Sequence, residues 1–84
     1  MTPIRELLNR IRWDPAFGQG NFAIGYYDRL LDRVVVVPLQ EVRLDPADHY
    51  FFQVADAEGE AHSVPFHRVK EVYRDGRLIW HREH

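Results

Sequence analysis

Twice in 84 residues the chain spells Val-Pro-apolar-x-x-Val, first as Val37-Pro38-Leu39-Gln40-Glu41-Val42 and again as Val64-Pro65-Phe66-His67-Arg68-Val69. Proline lacks a backbone donor and fixes one dihedral, so a strand that reaches it must turn or lie at a sheet edge. Each copy predicts a strand that stops at proline and runs on into one helical or 3₁₀ turn, returning two apolar side chains to the core. The scaffold needs only the proline and the apolar positions. The polar pair changes from Gln40-Glu41 to His67-Arg68, so the turn itself does not demand a histidine and an arginine. Those two residues become the first candidates for function.

The remaining elements follow from periodicity. Thr2 and Pro3 suit a helix cap and first helical position. Ile4, Leu7, Leu8 and Ile11 then give one apolar stripe at helical spacing. Glu6 near the start and Arg10 and Arg12 near the end complement the helix dipole, and Asp14-Pro15 stops the helix. Trp13, at its exit, is expected to fold back on the core. After a loop at Phe17–Asn21, Phe22 to Tyr27 alternates with period two, and Gly25 within it suggests a bulge or a close backbone approach. Val34 to Val37 is a continuous β-branched run, which predicts a strand covered on both faces. A third strand is expected over His49–Val54, with Tyr50 and Phe52 sharing a face, and a fourth over Ala61–Val64 after a turn at Asp56–Glu60. Asp75-Gly76 is the strongest hairpin signal and favours a type I′ turn. Leu78-Ile79-Trp80 forms the last strand, ahead of a polar tail from His81 to His84. The sum is an α+β fold: an N-terminal helix on a curved, mainly antiparallel sheet of about five strands, or a small, partly open barrel.

Length and charge bound the function. A chain of this size buries roughly 60% of its unfolded surface, which supports one domain over residues 1–84. With no cysteine there is no disulfide framework and no thiolate chemistry. The amino terminus reads as an amphipathic helix rather than a secretion signal, and the run from Val34 to Leu39 is too short to span a bilayer. A cytoplasmic location without membrane association is the expectation. The formal charge of −2 argues against a protein that tracks a nucleic-acid backbone, because such binding rests on neutralising many phosphates. Any nucleic-acid role must be local, a pocket for one group.

Most reactive constellations can be set aside. His62 and His67 lie either side of a proline, and His81 and His84 sit in the tail, so no regular metal-ligand spacing occurs and no metal or cofactor is expected. Ser63 beside His62 lacks a glycine elbow. A ribonuclease-like acid–base pair needs two histidines on one phosphate, and His67 has no partner evident in the sequence. The second polar cluster is Tyr26-Tyr27-Asp28-Arg29. There Asp28 either pairs with an arginine as surface decoration or orients one whose planar fork meets a phosphate.

Taken together, Trp13-Asp14-Pro15, Ile24-Gly25-Tyr26-Tyr27-Asp28-Arg29, Val64-Pro65-Phe66-His67-Arg68-Val69 and Gly76-x-x-Ile79-Trp80-x-Arg82 resemble the RNA cyclic-group end recognition domain, a small archaeal and bacterial family. The resemblance covers nearly the whole chain in the same order. It implies a module that recognises RNA ends bearing a 2′,3′-cyclic phosphate or related group, attached to or working with RNA-processing enzymes. By motif, it places Tyr26, Asp28 and Arg29 in one ligand-binding cluster and His67 and Arg68 in the other. The chemistry agrees with the charge: a cyclic phosphodiester carries one negative charge, so one or two arginines can meet it. Two other readings stay open. One is a phosphoesterase-like enzyme that opens the ring with His67. The other is a protein-interaction or homodimer module in which His67 and Arg68 merely end a strand and an unpaired sheet edge takes the partner.

Overall fold

A computed structural model describes residues 2–56 and 58–82. Helix α1 (Ile4–Trp13) buries Ile4, Leu7, Leu8 and Ile11, the stripe the spacing predicts. The helix begins one residue later than expected. Pro3 occupies the cap position with extended backbone, its carbonyl accepts the Leu7 N–H at 3.0 Å, and no side chain caps the helix. Thr2 therefore lies too far out for its hydroxyl to reach the first-turn donors; its carbonyl instead accepts the Trp80 indole N–H at 2.8 Å. Trp13 does not fold back on the core and is 61% exposed. Two residues past Ile11 is about 200° around the helix, which turns Trp13 away from the buried stripe.

Among the described residues seven strands follow rather than about five: β1 (Phe22–Asp28), β2 (Arg33–Pro38), β3 (Val42–Arg43), β4 (Phe51–Ala55), β5 (Ala61–Pro65), β6 (Val69–Arg74) and β7 (Arg77–His81). They form two antiparallel sheets, one of order β2-β1-β6-β7 and one of order β3-β4-β5, and no closed barrel. The two Val-Pro repeats explain the higher count. Each continues into a 3₁₀ turn, Leu39–Glu41 in the first copy and Phe66–Arg68 in the second. The first turn carries the chain from β2 in the large sheet to β3 in the small one. The second carries it back, from β5 to β6. Pro38 (φ −62°, ψ 141°) and Pro65 (φ −64°, ψ 139°) have nearly the same conformation. As the pattern predicts, Leu39 with Val42 and Phe66 with Val69 return to the core.

That core is one cluster drawn from both sheets, both turns and the helix, with Phe52, Leu8, Ile24, Val42, Val69 and Val72 its most fully buried large side chains. The Phe52 ring meets Tyr26 edge-on at 6.3 Å and Phe66 at 5.3 Å. Two strand expectations need correction. The Val34–Val37 run is not covered on both faces: none of the four valines is buried, and Val36 stays 55% exposed. The third strand starts at Phe51 rather than His49. Asp48 accepts the N–H groups of Tyr50 and Phe51 at 3.0 Å each, which ties up that segment in a turn, holds the Asp48 carboxyl below its usual range and leaves Tyr50 exposed. Phe52 and Val54 form the buried face instead. Asp75 (φ 50°) and Gly76 (φ 81°) make the expected type I′ turn.

Gly25 marks the expected bulge, while the atoms packed close to it belong to side chains rather than to another backbone. The β1–β6 register shifts there, and a Cβ at this position would stand 2.8 Å from Glu71 Oε1 and 3.0 Å from Val34 Cγ1.

The packing predicts a sharp contrast between two aromatics. Phe52→Ala should cost roughly 3–5 kcal/mol, comparable to the whole stability of a domain this small. Trp13→Ala should change stability by no more than about 0.5 kcal/mol. Urea unfolding followed by circular dichroism checks both.

Candidate functional site

Strand pairing brings the two polar clusters together. Tyr26 on β1 lies opposite Val69 on β6, in antiparallel register. The chain leaving Tyr26 toward Arg29 therefore runs alongside the second 3₁₀ turn, where His67 and Arg68 sit. Two adjacent clefts result. The first, of about 290 Å³, is lined by Tyr26 to Leu30, by the end of β4 with Asp56, by the middle of β5 from His62 to Val64, and by Arg68. The second, of about 400 Å³ and more open, is lined by Tyr27, Arg29, His67, Arg68 and Lys70. Arg29, Arg68 and Tyr27 belong to both. Of the five residues singled out from sequence, Tyr26 and Asp28 line the first cleft, His67 the second, and the two arginines the boundary.

Each side chain has a definable state. Arg29 is exposed and Arg68 half-buried, and among the described residues neither has a carboxylate within 4.0 Å. Asp28 neither pairs with nor orients an arginine. Its Oδ1 accepts the N–H groups of Leu30 (2.8 Å) and Leu31 (3.2 Å), shaping the turn that presents Arg29. Tyr26 is held by its edge-on contact with Phe52, and burial, followed by the charge of Asp28, raises its hydroxyl pKa. The His67 side chain is exposed, while its carbonyl accepts a hydrogen bond from Arg82 Nη1 at 3.0 Å. Arg82 in turn lies 5.0 Å from the centre of the Trp80 ring. The first turn has the corresponding brace, in which Arg12 donates to the carbonyls of Leu39 (3.3 Å) and Val42 (2.8 Å).

Sequence reasoning named Tyr27 within the second polar cluster without giving it a binding role, and it missed Lys70 and the pair formed by His62 and Asp56. The Tyr27 hydroxyl donates to Asp32, a bond that raises its pKa. His62 Nε2 stands 2.6 Å from Asp56 Oδ2 across the β4–β5 turn. That hydrogen bond raises the His62 pKa, with further help from the charges of Asp56, Glu60 and Asp28 against a smaller opposing effect of burial. It also lowers the Asp56 pKa. The available signal was an aspartate and a histidine flanking a tight turn, which brings them face to face. The Ser63 Oγ accepts the Gln53 amide N–H at 2.7 Å, and among the described residues no hydrogen bond links it to a histidine or carboxylate base. His81 ends β7 in solvent, and His84 lies outside the described residues. Among the described residues no three metal-ligating side chains converge, and no helix is long and apolar enough to cross a membrane.

These are an α+β fold and a cationic cleft built on the Tyr-x-Asp-Arg and His-Arg motifs. The family model described as MJ1316 RNA cyclic group end recognition domain matches residues 1–82, and the chain belongs to that family. A UPF0248 protein of Methanococcus maripaludis is 26% identical over 80 residues, spanning 92% of this chain and 95% of the relative. No solved structure matches.

The His62–Asp56 contact makes a direct prediction. Asp56→Asn should return the His62 pKa toward the ordinary histidine value of about 6.5, measured by NMR titration of the ring protons. An unchanged value would show that the contact is absent in solution.

Proposed function

We propose that this domain binds RNA 3′ ends that carry a 2′,3′-cyclic phosphate or a related terminal group, without turning them over. The observation that carries this reading is the pair of guanidinium groups, Arg29 and Arg68, set on separate elements at one boundary with no carboxylate partner among the described residues. A planar guanidinium matches two phosphate oxygens at once, and two of them suffice for a single negative charge. The name of the family supports the same substrate.

The other residues take supporting roles. His67 donates to a phosphate or ribose oxygen from the open cleft. Tyr27 supplies the aromatic surface shared by both clefts, where base stacking is worth roughly 1–3 kcal/mol. Tyr26, locked on Phe52, positions rather than stacks, and Asp28 fixes the turn that carries Arg29. The net charge of −2 fits a site that meets one or two phosphates. In this reading the module presents a processed or damaged RNA end to RNA-processing enzymes.

Short RNAs of one sequence, ending in either a cyclic phosphate or a free hydroxyl, test the proposal by titration. The cyclic end should bind more tightly and be recovered intact. Arg29→Ala and Arg68→Ala should each weaken it by about tenfold or more, as expected for a charged hydrogen bond. The salt dependence should be shallow, with a log–log slope of about −0.7 for each phosphate met. Equal affinity for both ends would refute the proposal.

A further inference from the structure

The two clefts are unequal, and the inequality gives the bound RNA a direction. This inference rests on the RNA-end reading above. The first cleft is the more enclosed: the buried side chains of Val54 and Val64 underlie it, and His62 with Asp56 closes it on the β4–β5 side. The second is an open shelf, with His67 and Lys70 beyond the two arginines. A 3′-terminal nucleotide has one covalent connection to the rest of the strand, through its 5′ side. A walled cleft accepts a group with a single connection, whereas a continuing chain needs an open path.

We propose that the terminal nucleoside enters the walled cleft, its cyclic phosphate rests on Arg29 and Arg68, and the preceding nucleotide leaves over the shelf, where Lys70 meets its phosphodiester. Placement of charge supports this order. Beside the two shared arginines the walled cleft holds Asp28 and the Asp56–His62 pair, so it offers a second phosphate less positive charge than the shelf does. The shelf is lined by two arginines, a lysine and a histidine, with no acidic side chain among its lining residues. Asp56 engages one ring nitrogen of His62, which leaves the other to contact the nucleoside.

Ligands of two lengths separate the subsites. Adenosine 2′,3′-cyclic monophosphate and a four-nucleotide oligoadenylate with the same cyclic end are titrated by NMR, which reads weak affinities. Lys70→Ala should leave the mononucleotide within about twofold of the parent and remove most of the affinity gained by lengthening, a loss of about three- to tenfold. Lys70→Gln, which keeps most of the aliphatic stem, should do the same. His62→Ala should weaken both ligands by a similar factor of about five. Lys70 variants that weaken the mononucleotide as much as the tetranucleotide, or a His62 variant that affects only the longer ligand, would overturn the direction. Those outcomes leave the cyclic-over-hydroxyl preference of the parent protein in place. Loss of that preference would refute the RNA-end reading itself.

Discussion

Pro38 and Pro65 cannot donate a ladder hydrogen bond, and the layout of the domain follows from that constraint. Each ends a strand, turns the chain through one 3₁₀ turn and delivers it to the other sheet. Two apolar side chains per turn then pin both sheets to a common core. The two polar positions between them face outward and carry no structural duty. The first turn spends them on Gln40 and Glu41. The second places His67 and Arg68 beside the end of β1, where antiparallel pairing has already brought Arg29. Arginines hold the turns themselves: Arg12 bonds to carbonyls of the first and its exit, and Arg82 bonds to a carbonyl of the second. Arg68 is thereby left available to solvent and ligand.

A slightly acidic protein can still present a cationic shelf where, among the described residues, no carboxylate lines it, as at Arg29, His67, Arg68 and Lys70. Asp28 binds the N–H groups of its own turn, Asp48 does the same before β4, and Asp56 is engaged by His62 and the neighbouring backbone. Each carboxylate is hydrogen-bonded locally, and none of the three is paired with Arg29 or Arg68. Such a balance suits recognition of one charged terminal group and disfavours non-specific backbone binding, which grows with the number of phosphates neutralised.

Features set by neighbours in sequence were legible in advance. The stripe of Ile4, Leu7, Leu8 and Ile11, the Asp75-Gly76 turn and the paired Val-Pro repeats each encode a local geometry, and each forms as expected. Sheet membership was less accessible. The sequence shows that strands end at Pro38 and Pro65, but which sheet receives the chain afterwards depends on pairing between distant segments. The same limit hid the pair of Asp56 and His62 and the neighbourhood of Lys70, because only the folded chain joins those elements. Asp28 shows the converse error, in which a possible long-range role was considered while the backbone two residues on took the side chain first. The Tyr26–Arg29 and His67–Arg68 clusters were identified from turn chemistry and family resemblance, and their meeting at one boundary follows from the β1–β6 register.

Amide chemical-shift mapping with a short RNA ending in a 2′,3′-cyclic phosphate tests the central claim most directly. The account predicts the largest shifts over residues 26–30 and 67–70, with little change around Arg12 and the turn at Leu39–Glu41. Binding that instead moves the first turn, or leaves both arginine segments unperturbed, would contradict it.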